Sequence, residues 1–243
     1  MNSARPPSPD QTQGARLDGY IARHNEFRGR ILDAAEALIS EAGDTSFGTR
    51  ELAARAGVSA ATPFNHFGSK RGILSAIVDR SLEELGSSDV PPQGLGDPLE
   101  HIFRHTDRVV SFYAARPELY RPVLGELAGN AASSPFQTLQ RANASWRAGL
   151  VAALEAGQLR TGRDLDVLAG QLETNWLGSL VLWIVGRIDG EGWKVQSEYG
   201  TALALGSIVA ATEWDRLQDR IAGLEARLAD PAGAQPQEFA ASG

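Results

Sequence analysis

The sequence predicts an all-α fold, a small head of short helices followed by a larger helical body. Three observations carry this. No stretch shows sustained period-two alternation, which removes the main signal for a sheet. Apolar residues instead recur at helical spacing almost without a break between residues 25 and 230. Helix-starting and helix-stopping residues punctuate that series at its ends.

The first helix covers about Glu26 to Ala42. Phe27, Ile31, Ala35, Leu38 and Ile39 share one face, and Gly43 stands where a glycine ends a helix. A short second helix covers about Thr49 to Ala56, before Gly57. A third covers about Ala60 to Phe67, with Ser59 as N-cap. A fourth begins at Ser69 and turns Ile73, Ile77, Val78, Leu82 and Leu85 inward. The run GSSDVPPQGLG, Gly86 to Gly96, is a loop and a domain boundary.

The body restarts at Asp97-Pro98-Leu99-Glu100, an acceptor at N-cap, Pro at N1 and Glu at N3. That helix runs to Arg116 and stops at Pro117. A short piece follows over 118–129. Ser134 opens a helix to about Ala156, and Asp164 opens one to about Ile188. The last runs from about Ser197 to Ala229. The division is thus an arm over 1–24, a head over 25–86, a body over 97–230 and a tail over 231–243. Arm and tail are rich in Pro, Ser, Gln and Gly, lack a period and read as disordered.

Composition narrows the function classes. The 243 residues contain no cysteine, which excludes a disulfide scaffold, a zinc ribbon and a thiol nucleophile. The first residues have no apolar core of a signal peptide. The longest apolar run, Leu180 to Val185, is far too short to span a bilayer, so a cytoplasmic protein is expected. The formal net charge is −7, yet residues 1–80 are slightly basic. Between 45 and 71, Arg50, Arg55, Lys70 and Arg71 stand against Glu51 alone. An acidic chain with one basic stretch fits a local anionic contact.

The informative stretch is TRELAARAGVSAATPFNHFGSK, Thr49 to Lys70. A two-turn helix buries Leu52, Ala53 and Ala56. Ala53 is small because a second helix crosses close above it. Gly57 supplies positive φ at the tight turn, and Val58 plugs the space between helices. This is the spacing of a helix-turn-helix, whose second helix enters a DNA major groove.

With the preceding RGRILDAAEALISEAG, this stretch resembles the DNA-binding head of the TetR (tetracycline repressor) type regulators. The Ile-Leu-x-Ala-Ala of the first helix, the Ala-Gly-Val-Ser turn and the His66-Phe67-x-Ser69-Lys70 run carry the likeness over about residues 28–78. The resemblance implies that Thr49 binds backbone phosphate, and Arg50 and Ser59 lie in the same contact region. It implies that Ala60, Ala61, Phe64 and Asn65 face base edges while Thr62, His66 and Lys70 hold phosphates. Helix N-termini offer free N–H groups to anions, and Asn pairs bidentately with adenine, which agrees. Three positions depart from the family pattern: Gly48 in place of a Ser or Thr cap, Phe64 in place of Tyr, and Pro63 in place of an aliphatic residue. Pro63 falls at about N4 of the expected helix and should displace its first turn or tighten it toward 3₁₀ geometry.

In the body, Phe103, Arg104, Phe112, Tyr113, Trp146, Glu173, Trp176 and Trp183 are candidates for a ligand cavity, apolar with a few polar groups. Core packing is the competing reading for each. His101 and His105 have metal-ligand spacing, but with no HExxH pattern a structural or pocket-lining role is expected, with no metal and no cofactor. Arg5, Arg16 and Arg23 could reach a minor groove; an idle arm is the plainer reading.

Two helices suggest a homodimer. One carries the apolar run 180–185. The last shows Ala210, Trp214, Leu217, Ile221, Leu224 and Leu228 at alternating steps of four and three. In the resembled family the last two helices form a four-helix dimer interface. The expectation is a ligand-responsive DNA-binding regulator, most simply a repressor that binds a palindromic operator as a homodimer and is released by a small molecule. An activator with the same head is a variant of this reading. The alternative is an all-helical enzyme or small-molecule carrier with a vestigial head. No paired carboxylates or nucleophile with a base appear in recognisable arrangement, so no enzyme is expected.

Overall fold

The computed structural model describes residues 9–86, 96–128, 135–160 and 162–229, with side chains from residue 23 onward and, in the seventh helix, from residue 144. Ten helices occur among the described residues: α1 (Pro9–Ala42), α2 (Thr49–Ala56), α3 (Thr62–Phe67), α4 (Lys70–Leu85), α5 (Pro98–Ala114), α6 (Pro117–Ala128), α7 (Pro135–Glu155), α8 (Leu165–Ile184), α9 (Gly190–Gly206) and α10 (Trp214–Ala229). A single 3₁₀ turn, Ala211–Glu213, precedes α10. The fold is all-α, as the periodicity indicates.

The chain divides into two compact units, Met1–Ile77 and Val78–Gly243. The division falls inside α4 and not at the loop 86–96. In the head, α1 packs on α2 and α3. Ile31, Ala35, Ile39, Leu52, Ala53, Ile73 and Ile77 are buried there. In the body, α5, α7, α8 and α9 close a ring, each packing on the next, with α6 against α5 and α8 and α10 against α9.

Three boundaries correct the sequence reading. The first helix reaches back to Pro9, so much of the expected disordered arm is helical backbone. Proline is tolerated at a first helical position, and no proline follows it within α1. The aperiodicity that suggested disorder fits a helix with no apolar stripe to bury. Residues 1–8, including Arg5, and the tail over 231–243 lie outside the described residues.

The recognition helix begins at Thr62 and not at Ala60, with Ala61 at its N-cap instead of Ser59. Pro63 explains the shift. Its missing N–H is harmless only in the first turn, and the late start places it there. The approach is tightened as expected, since Thr62 N–H donates to the Ser59 carbonyl, an i→i+3 bond, at 3.0 Å.

The expected final helix, Ser197 to Ala229, is two. Ile208–Ala210 leave the helical path and pair with residues 158–160. Arg160 N–H donates to Ile208 O at 2.7 Å, and Ala210 N–H donates to Gln158 O at 2.8 Å. The β-branched Ile208-Val209 pair suits an extended bridge. The preceding helix starts early, at Gly190, where the Asp189 carboxylate caps Gly192 N–H at 2.7 Å.

The break folds α10 back onto its own chain. Leu217 and Leu224 of the expected dimer seam are buried in this body. Arg216 binds Asp97, and Arg220 binds Glu100 at 2.5 Å. Asp97 is the knot of this corner. Its carboxylate caps Leu99 and Glu100 at the start of α5 and accepts from Gln158 Nε2 at 2.7 Å. Burial alone would raise its pKa, but hydrogen bonds from Arg216 and Gln158 outweigh that and hold it at about 2.

Because the folded carboxyl is depressed, its stabilising effect is present above its unfolded value near ~4 and is lost as pH falls toward 2. Asp97→Ala should cost at least the ~1 kcal/mol of a lost N-cap. It should also flatten the acid limb of a stability–pH curve below pH 4. Thermal melts of both proteins from pH 2 to 7 check this; parallel curves would show that Asp97 is not a stabilising group in acid.

Candidate nucleic-acid interface

The turn between α2 and α3 is made by Gly57, at φ 63° and ψ 41°, a left-handed conformation that costs a glycine little. Its amide donates to Ala54 O at 3.1 Å, and Val58 N–H donates to Ala53 O at 2.9 Å. Together they close the C-terminal end of α2. A residue of α1 completes the closure. Arg30 Nη2 donates to Ala56 O at 2.6 Å and to Gly57 O at 2.9 Å. A Cβ on Gly57 would lie 2.4 Å from that nitrogen. Gly57 is therefore favoured by its φ, and any Cβ there would also displace the guanidinium seated against it.

Sequence reasoning missed Arg30. It falls outside the motif, and nothing in local spacing says that an α1 side chain reaches 26 residues ahead. A second tie was also missed. Arg55 of α2 pairs with Glu41 of α1, Arg55 Nη1 reaching Glu41 Oε2 at 2.9 Å. Both groups are exposed, so the pair contributes little.

With the turn fixed, α3 is presented outward. Ala60, Ala61, Phe64 and Asn65 are exposed, Phe64 at 42%. Pro63 alone of α3 is fully buried. The side chains expected to meet bases thus share an open face. Thr62 is half-buried, and its Oγ1 lies 2.7 Å from Ser59 Oγ. Thr49 opens α2, half-buried, beside the exposed Arg50. Gly48, lacking a side chain, cannot cap α2. Half of a capping box survives, with Gly48 N–H donating to Glu51 Oε2 at 3.3 Å.

Two expected phosphate ligands have neighbours of their own. The Lys70 ammonium lies 4.7 Å from the centre of the Phe47 ring. The His66 ring packs 4.4 Å from the His24 ring of α1, with its Nδ1 enclosed and without a hydrogen-bond partner. Burial lowers the His66 pKa, and the His24 and Arg28 charges act in the same direction. These effects favour the neutral imidazole over the cation.

The body candidates fall into separate groups. Phe103 is buried with the Arg220 guanidinium 4.0 Å above its ring, while Arg104 is exposed. Phe112 and Tyr113 cluster with Tyr120. The Tyr113 hydroxyl lies 3.0 Å from Ser81 Oγ, and burial pushes its pKa up to about 12. Glu173 is half-buried on α8.

Trp146, Trp176 and Trp183 join a continuous row. His105 stands edge-on to Trp146 at 5.7 Å, Trp146 is 6.1 Å from Trp176, Trp176 is 5.7 Å from Trp193, and Trp193 stacks on Trp183 at 4.7 Å. Burial lowers the His105 pKa to about 4, so the ring is neutral at pH 7. Trp193 was missed because it falls between the expected helices that end near Ile188 and start near Ser197; the signal available was Asp189 as an N-cap. Among the described residues no group of three or more His, Cys, Asp or Glu could hold a metal.

An exposed recognition helix behind a glycine turn defines a helix-turn-helix protein. Residues 31–77, which hold the turn and the recognition helix, match the model of the bacterial regulatory proteins of the tetR family.

An uncharacterised HTH-type transcriptional regulator of Mycobacterium tuberculosis is 32% identical over 47% of this chain and 61% of its own length. The chain thus spans less than two thirds of that relative. The HTH-type transcriptional repressor KstR of Rhodococcus jostii is 26% identical over 74% of this chain and 84% of its own. Among solved structures, SmeT, the repressor of the Stenotrophomonas maltophilia multidrug efflux pump SmeDEF, shares the fold. Its TM-score is 0.60 at 24% identity, covering 76% of this chain and 91% of that one.

The head should depend on Arg30 although Arg30 need not touch DNA. Arg30→Ala removes a charged donor from two carbonyls and should cost about 1.5–3 kcal/mol of head stability. Arg30→Lys should recover only part, since one ammonium lacks the guanidinium's planar fork. Urea melts followed by circular dichroism decide this; an Arg30→Ala protein as stable as wild type would show the pin is dispensable.

Proposed function

We propose that this protein is a ligand-responsive transcriptional repressor that binds a palindromic operator as a homodimer and is released by a small molecule held in its body. The observation that carries the reading is the exposed face Ala60, Ala61, Phe64 and Asn65 on a recognition helix whose turn is fixed from behind. In this reading Asn65 and Phe64 contact base edges, with Ala60 and Ala61 against thymine methyl groups. Thr49, Arg50, Ser59, Thr62, His66 and Lys70 contact the backbone. Such a protein works where the chromosome is, in the cytoplasm. No helix of the described residues is long and apolar enough to cross a membrane.

The dimer surface we propose differs from the seam expected in the last helix, whose Leu217 and Leu224 are buried in this chain. On α8 and at its C-cap, Val167, Gln171, Thr174, Gly178, Val181 and Val185 are all exposed and follow steps of four and three. Val167 is 69% exposed and Val185 56%. A heptad stripe of this kind suits a helical partner, with Gly178 admitting close approach. Leu203 of α9 adds to the exposed apolar surface.

The small-molecule part gains support from what related folds hold. RolR was solved in complex with resorcinol; its TM-score is 0.54 at 19% identity, over 82% of this chain and 96% of that one. The aromatic row is the place in this chain with matching chemistry. Ligand must bind one of two states more tightly, because equal affinity shifts nothing.

Two measurements test the proposal. In a gel shift with duplexes from the DNA upstream of its own gene, the protein should bind one sequence specifically, with affinity falling steeply in salt. Lys70→Ala should lower the salt slope by about 1 without changing the preferred sequence. Absence of specific binding to any duplex in a randomised pool would remove the regulator reading. In light scattering, the protein should run at twice its 25.9 kDa chain mass, and Val181→Glu should convert it to monomer. A monomeric wild type would refute palindromic binding.

A further inference from the structure

Several hydrogen-bond donors in the interior of the body have no partner. Trp176 Nε1 and Trp193 Nε1 are enclosed and have no hydrogen-bond partner, as does Asn175 Nδ2 next to Trp176 in sequence. All three are donors. The hydroxyls in the same interior are already used. Ser179 Oγ lies 2.8 Å from Ser197 Oγ and donates to Trp176 O at 2.8 Å, and Thr201 Oγ1 donates to Ser197 O at 2.9 Å. Trp146 Nε1 has Thr106 Oγ1 at 3.5 Å. Arg121 Nε, at the Trp183 end of the row, is a further enclosed donor without a partner, and the adjoining ones are those of the Trp176–Trp193 pair and its Asn175 flank.

Tryptophan is placed in interiors where its N–H finds a partner. Two adjacent indoles without one are a cost that any acceptor seated there would relieve. A ring edge offers an N–H at most a weak π acceptor, short of what a carbonyl supplies. The surroundings also limit charge. Among the described residues the fully buried polar side chains are Ser81, His105, Thr106, Ser179, Ser197 and Thr201, none of them a carboxylate, Lys or Arg. An organic cation would find no fully buried carboxylate there, and the Arg121 guanidinium lies over Trp183, beyond the Trp176–Trp193 pair. The floor is aromatic, and the Trp176 and Trp193 planes are tilted by 44°, not stacked.

Resting on the reading that the body holds an effector, we infer that the Trp176–Trp193 pair is the recognition edge for a neutral, planar, largely apolar molecule that brings hydrogen-bond acceptors, such as a lactone, ketone or ester carbonyl. The indole N–H groups donate to its oxygens, and the neighbouring rings cover its faces. An indole N–H lies in its ring plane, so the guest meets the pair at its edge, where the two ring centres stand 5.7 Å apart. Asn175 is held against Gly200, where a Cβ would come within 2.0 Å of its amide nitrogen. It therefore stands as a fixed flank on α8 instead of a mobile one.

The test uses coumarin, a flat bicyclic lactone with acceptors only, against naphthalene, a flat bicycle of similar size with none. In ¹⁵N NMR spectra of the full-length protein, coumarin should move the indole N–H signals of Trp176 and Trp193, assigned through Trp176→Phe and Trp193→Phe. Naphthalene should leave their hydrogen-bond-sensitive proton shifts nearly unchanged. By calorimetry coumarin should bind at least tenfold more tightly than naphthalene. Each Phe variant, if its circular dichroism matches wild type, should narrow that ratio.

The wild-type comparison needs no variant, so a misfolded Phe protein does not block the test. Equal affinity for both probes, with the two indole signals unmoved, would overturn the inference while leaving an apolar effector site in the body. Binding of neither probe, with operator retention unchanged by both, would overturn it as well. The effector reading itself fails separately, if no molecule in a chemically mixed library releases the operator duplex.

Discussion

The helix-turn-helix of this protein depends on a guanidinium set behind it. Arg30 donates to the carbonyls of Ala56 and Gly57, the last groups of α2 that the helix itself cannot satisfy. The left-handed Gly57 turns the chain, and the arginine fixes where the turn stands relative to α1. Everything exposed on α3 inherits its position from that corner. An α3 of six residues is too short to be stable alone, so its orientation must come from tertiary contacts. Pro63, buried in the head, the His66 ring against His24 and Phe27, and the Phe67 ring under the Arg28 guanidinium are further such contacts.

The body is organised by a different constraint, the disposal of large aromatic rings. Five aromatic side chains from four helices run through the ring of α5, α7, α8 and α9, and Arg121 of α6 lies 5.1 Å over Trp183 at one end. Close-packed rings explain why α8 can be apolar on two sides. One side holds Trp176, Ser179 and Trp183 inward, and the other leaves Val167, Val181 and Val185 without cover in a single chain. Burying this second side against a like surface would remove substantial apolar area from water, the general driving force for subunit association.

What the sequence made legible was local. The turn at Gly57, the N-caps Asp97 and Asp164, and the apolar faces of α1 and α4 were all readable from period and punctuation. What it hid was long-range. The start of α3 moved because Pro63 had to sit in a first turn, which a pattern centred on Ser59 does not reveal. The last helix broke because Ile208–Ala210 found partners at 158–160, some fifty residues earlier. The seam at Leu217 and Leu224 has the right spacing for a partner helix. Spacing alone does not say whether that helix belongs to the same chain. Of the candidate ligand residues, sequence reasoning found three of the tryptophans in the row. It could not separate them from Phe103 or Tyr113, since burial in one core looks the same in every helical period.

The division between the two units falls within one helix. Helix α4 is a continuous stretch, Lys70–Leu85, that contributes Ile73, Leu74 and Ile77 to the core of the head. Its later turns belong to the body, where Ser81 is buried and hydrogen-bonded to Tyr113. In the proposed switch, an effector at the tryptophan row would act by repacking the side chains of the body. Its leverage is limited to the difference in its affinity for the two packings of the body, however tightly it binds. That limit favours a ligand whose binding rearranges side chains over one that fills a ready-made hollow, and indole N–H groups left unmet in the unliganded body suit that requirement.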